Sequence, residues 1–194
     1  MGGGAHILLG MENHHLSWYF VELSRQARFA HASAVTLNGA LAAGGSDTVL
    51  LCFSGAQGIL TAATQISKLL WADTGRDWSA ERIAFANERA RALRDVIKPE
   101  KLLQQRAVRN AVEHFDERLD QLFYTDPEAS VMDSNVIPKS MVRVDNGTWL
   151  RNLDPTTMTY SALDKDVDLN ALYRAIESAG SAADAWVSKY HTRE

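Results

Sequence analysis

The sequence predicts a mainly α-helical fold, an up-down helical bundle followed by a small β-hairpin and a C-terminal helix. Three observations carry that expectation. The prolines stand at Pro99, Pro127, Pro138 and Pro155, so no strong helix breaker precedes position 99. Before that point apolar residues recur at steps of three and four. Beyond Pro138 the pattern alternates, and Asn146-Gly147 offers the two positive-φ residues of a tight hairpin turn.

The first helix is expected over 13–37, where Leu16, Phe20, Leu23, Ala27, Ala30, Ala34 and Leu37 form one stripe. Gly39, Gly44 and Gly45 then predict a loop. Ser46 or Asp47 can cap a second helix that carries Val49, Phe53, Ala56, Leu60, Ala63 and Leu70 and ends near 71–75. Within it, Gly55 and Gly58 have no phosphate-loop context and are read as sites of close helix approach. Asp77 or Ser79 caps a third helix bearing Ile83, Ala86, Ala90, Leu93 and Ile97, which Pro99 stops. A fourth is expected over 100–124, with Val108, Val112, Phe115, Leu119 and Leu122 on its buried face.

Short loops between four such helices favour antiparallel neighbours, giving a four-helix core over 13–124. The hairpin appendage is expected over 141–163, with 158–163 as a third strand. Asp168 then caps a final helix over 168–190 containing Leu169, Leu172, Ile176, Ala179, Ala183, Trp186 and Val187. Trp149, Tyr160, Tyr173 and Trp186 are read as the packing that fixes these late elements to the bundle.

A chain of 194 residues, 46% hydrophobic and 23% charged, suits one globular domain. Its net charge of −4 argues against a surface built for indiscriminate polyanion binding. Cys52 is the only cysteine, which excludes an internal disulfide and a cysteine-based zinc site, and a reducing cytoplasm is the expected compartment. No secretory signal is expected from 1–10, which lacks a basic start and a cleavage pattern. The apolar run at 49–66 is broken by Ser54, Gly55, Gln57, Gly58, Thr61, Thr64 and Gln65, so it is read as a buried bundle helix with no membrane role. His14-His15 is read as capping or packing, because neighbouring helical residues point about 100° apart, and no metal or other cofactor is expected.

One string stands apart from this scaffold. Arg109-Asn110 is followed after three residues by His114. Arginine is a fixed cation with a planar donor fork suited to phosphate, and histidine exchanges a proton near neutral pH. On a helix, Glu113, Asn110 and His114 lie roughly 40°, 100° and 140° round from Arg109. They share a polar arc too broad for one helix to close on a small group, so a groove between two copies related by a two-fold axis is the expected setting. Asn110 and His114 are one turn apart, close enough for a hydrogen bond that would orient the imidazole. With RNA as substrate, the 2′-hydroxyl is the nucleophile, His114 moves the proton, Arg109 steadies charge on the phosphorane, and no metal is needed.

The string, with Leu93-Arg94 upstream and Phe115-Asp116-Glu117-Arg118-Leu119 after it, resembles the signature of the HEPN superfamily over 13–124. Members of that superfamily are helical bundles that carry Arg-Asn-x-x-x-His on a late helix. The resemblance implies a homodimeric, metal-independent endoribonuclease or RNA-binding component of a toxin–antitoxin or defence system, partnered by RNA and by an antitoxin or other protein. It assigns Arg109 and His114 as the catalytic pair with Asn110 in support. Some members bind nucleotides or partners without cleavage, so the alternative is a non-catalytic helical interaction module.

Charge divides along the same region. Between 87 and 109 there are seven basic and three acidic residues, and Arg94 and Arg106 are candidate RNA contacts there. Between 110 and 133 seven acidic residues face one arginine, which repels a polyanion unless those carboxylates point away or pair internally. An ordinary solvated helix, with Arg109 and Glu113 as an i,i+4 pair, is the plain alternative.

Overall fold

The computed structural model describes residues 13–105, 115–141, 147–163 and 165–191. Its fold is mainly helical, with a small sheet region toward the C-terminus. Helix α1 spans Asn13–Ala43, α2 Thr48–Leu70 and α3 Ala80–Ile97. The stripe read from α1 is buried at Leu16, Phe20, Leu23, Ala30, Ala34 and Leu37. The helix runs six residues beyond the expected end at Leu37, because Ala40 continues the buried face and outweighs the cost of about 1 kcal/mol for Gly39 inside a helix. The chain turns instead at Gly44 and Gly45, both at positive φ, and the Gly44 amide returns to the Ala40 carbonyl at 3.1 Å.

Asp47 occupies the position before α2, but its side chain makes no capping bond, contrary to expectation. Ser79 does cap α3, accepting from the Arg82 amide at 3.3 Å, and Lys98 ends that helix in the left-handed region just before Pro99. Gly55 and Gly58 lie where α1 and α2 touch. A Cβ on Gly55 would stand 2.7 Å from the Ser33 carbonyl oxygen and 2.8 Å from the Leu37 Cβ, and one on Gly58 would stand 2.1 Å from Ser33 Oγ. By length and composition α2 could cross a membrane, yet 56% of its apolar window is buried inside the fold, as in the core helix of a bundle.

The fourth bundle member is not the one expected. After α3 the chain forms a single 3-10 turn, Lys101–Gln104, and Gln105 is extended, so no continuous helix starts at position 100. Residues 106–114 lie outside the described residues, and α4 covers Phe115–Thr125. It contributes no buried residue. Phe115, Leu119 and Leu122 are only half covered, and the rest of the helix is charged, polar or, at Phe123 and Tyr124, exposed, so it has too little covered apolar surface to hold a central place. The final helix, α5 over Leu169–His191, takes that place against α1, α2 and α3. It buries Leu169, Leu172, Ala175, Ile176, Ala179 and Ala183, and Trp186 stacks on Phe20 at 4.2 Å between ring centres. Asp168 caps it as expected, accepting from the Ala171 amide at 2.9 Å.

The strands are β1 Ser130–Met132, β2 Asn135–Val136, β3 Gly147–Trp149, β4 Arg151–Asp154, β5 Thr159–Ala162 and β6 Lys165–Asp168. Residues 142–146, and with them Asn146 of the expected turn, lie outside the described residues. Gly147 opens a strand that pairs in parallel with β1, and the antiparallel hairpin is β4–β5, with β6 beside β5 and β2 parallel to β4. Asp154 explains this turn. Its Oδ1 accepts from the amides of Thr156 and Thr157 and from the Thr156 hydroxyl, while Oδ2 accepts from the Lys139 amide. The expected third strand at 158–163 is β5. Leu153, Tyr160 and Ala162 join the main core, with Tyr160 edge-on to Phe53 of α2, so the sheet is built into the bundle where a mere appendage was expected.

Candidate functional site

The sheet packs beside the N-terminal half of α2 and leaves a groove of about 640 Å³ between them. Ser46, Val49, Leu50, Phe53, Ser54 and Gln57 form one wall at helical spacing, and Ser134 and Arg151 form the other. Leu50 is 70% exposed and Val49 42%, which makes an apolar lip. Ser54, Ser134 and Gln57 supply hydroxyl and amide groups able both to donate and to accept.

Arg151 anchors the sheet side. Its Nε donates to Asp133 Oδ1 at 2.8 Å and its Nη2 to the other carboxylate oxygen, a bidentate fork. Hydrogen bonding from Arg151 holds the Asp133 carboxyl below the ordinary carboxylate range against the opposing effect of burial, and the same bond raises the Arg151 guanidinium. Ser134, at a φ of +55°, also donates to Asp133 at 3.1 Å. The guanidinium lies over the Phe115 ring, 4.6 Å from its centre. Phe115 is the residue that follows His114 in the chain.

Tyr160 lies beneath this wall, fully buried. Burial pushes its phenol up to about 12, with Arg151 opposing, Asp133 reinforcing and the Gln57 side chain opposing. Its hydroxyl makes no hydrogen bond of ordinary geometry among the described residues, and Gln57 is a polar group close enough to act on it.

Of the residues singled out from sequence, Arg106, Arg109, Asn110 and His114 lie outside the described residues. Arg94 is half-buried, and its Nη1 donates to the Leu70 carbonyl at the end of α2. Other arginines of the basic stretch also meet the fold: Arg89 lies over the Tyr19 ring at 5.0 Å and Arg91 reaches Glu88 at 4.0 Å. Of the acidic residues in 110–133, Asp133 does engage one of the chain's own arginines. Sequence reasoning missed Arg151, Asp133, Gln57 and Tyr160, which come from separate elements and form no motif. Among the described residues no three His, Cys, Asp or Glu side chains gather as a metal site.

A second polar cluster joins α1 to α5. Tyr173 donates to Glu177 at 2.6 Å and meets His31 Nδ1 at 2.7 Å, and burial followed by Glu177 pushes its phenol up to about 12. Since the tyrosine proton goes to Glu177, His31 Nδ1 is the donor of the other bond. This cluster ties two helices together. No family model matches the chain, and no curated protein or solved structure is similar to it at a significant level.

Proposed function

We propose that the protein is a HEPN-like, metal-independent endoribonuclease or RNA-binding component of a toxin or defence system. Arg109 and His114 are its catalytic pair, and Asn110 orients the imidazole. The observation that carries this reading is the Arg-Asn-x-x-x-His string in a mainly helical chain. The groove lined by Arg151, on whose guanidinium Phe115 packs immediately after the string, supports it by giving RNA a place to lie. His114 takes the proton from a ribose 2′-hydroxyl or returns one to the leaving oxygen, and Arg109 meets the charge on the phosphorane. Two protomers supply the pair across a two-fold axis.

The test is degradation of mixed-sequence RNA by the full chain in EDTA. Wild type is expected to cleave, and His114→Ala and Arg109→Ala are each expected to lose at least about a hundredfold in rate. Equal cleavage by His114→Ala overturns the assignment, and an inactive wild type leaves binding as the function. The second reading, a non-catalytic interaction module, is favoured by α4, where Tyr124 is 86% exposed and Phe123 42%.

A further inference from the structure

Resting on that RNA reading, we infer that the groove between α2 and the sheet is a base-recognition subsite that takes one unpaired nucleobase of single-stranded RNA beside the cleaved linkage. Its size comes first. A volume of about 640 Å³ falls within the range of small-molecule sites and accommodates a nucleoside.

Its electrostatics choose among the parts of a nucleotide. The one cation in the lining, Arg151, has its fork engaged by Asp133, so charge is balanced where a phosphate would need it unbalanced. A neutral planar group with donors and acceptors on its edge fits better. Ser54, Ser134 and Gln57 can answer such an edge in either sense, and Val49 and Leu50 offer an apolar surface to a ring face. Phe115, stacked on Arg151, ties this wall to the chain segment that carries the catalytic string. In this reading phosphate chemistry is left to the string and base recognition to the groove.

The experiment uses full-length His114→Ala protein, which binds without cleaving, and 5′-labelled RNA pentamers of A, C or U followed by fluorescence anisotropy. Unlabelled nucleoside monophosphates serve as competitors, to separate a base within a strand from a free nucleotide. The pentamers are expected to differ in affinity by about fivefold or more. Ser54→Tyr, at an exposed position that tolerates a ring, fills the groove and is expected to weaken the preferred pentamer by about tenfold. Gln57→Met keeps the side-chain length and is expected to erase base preference while the protein still melts cooperatively.

Absence of pentamer binding, or binding indifferent to both substitutions, overturns the subsite. Competition by monophosphates as strong as by pentamers overturns the strand and leaves a nucleotide pocket in its place. With His114 restored, cleavage whose rate and sites ignore Gln57→Met leaves the nuclease standing and the subsite refuted. Groove-dependent binding without any cleavage does the reverse.

Discussion

Asp154 shows how much one side chain can organise. It is 6% exposed, and burial alone would raise its carboxyl. The Thr156 hydroxyl and the amides of Lys139, Thr156 and Thr157 outweigh that and hold it at about 2. Because the folded value lies below the unfolded one, near 3.9, its contribution is complete above pH 4 and fades as pH falls toward 2. Asp154→Ala is expected to destabilise by roughly 2–3 kcal/mol at neutral pH, since three amides and a hydroxyl lose a charged acceptor. The difference from wild type should shrink below pH 4, as urea titrations across pH 2–7 would reveal. A constant difference would mean that the charge is not the cause. Asp154 was not singled out from sequence, because an aspartate in Asp-Pro-Thr-Thr is common turn chemistry. Its significance comes from Lys139, fifteen residues away, which only the fold brings near.

At the scale of elements, the close approach of α1 and α2 sets the strongest constraint. Alanine is favoured over glycine inside a helix by about 1 kcal/mol, so on propensity Gly55→Ala and Gly58→Ala should both stabilise. Packing reverses the sign. Gly55→Ala meets main-chain atoms of Ser33 and Leu37, and a net loss of about 2 kcal/mol is expected by thermal or urea unfolding. Gly58→Ala meets the Ser33 side chain first, so Ser33→Ala should relieve it in part while leaving Gly55→Ala unrelieved. Equal relief of both would show that the helices slide apart freely.

These two glycines were legible in sequence, as were the stripes of α1, α2, α3 and α5 and the Asp168 cap, because periodicity and local hydrogen bonding depend on near neighbours. The β4–β5 hairpin was not read because its turn depends on the buried Asp154 and its partners, while Asn146 of the expected turn lies outside the described residues. The groove was invisible for the same reason. Its walls, 46–57 on one side and Ser134 and Arg151 on the other, are joined only by tertiary packing.

For the whole molecule, competition between two amphipathic helices decides the architecture. Both 100–124 and 168–190 offer an apolar face, but among the described residues α5 buries six hydrophobic side chains where α4 buries none. A fragment ending at residue 126 keeps every helix that the sequence nominated for the core, and it is expected not to fold. Circular dichroism should show lost cooperativity on heating, and dye binding should report exposed apolar surface. A fragment that melts cooperatively would mean that α1–α3 are self-sufficient. Among the described residues one buried cluster joins α1, α2, α3, β4, β5 and α5.

The peripheral position of α4 has a consequence for how this protein can change. Substitutions across 115–125 touch little of the interior, so replacements there should shift melting behaviour far less than equivalent ones in the other long helices. A segment so weakly tied to folding can change its exposed side chains with the framework left intact.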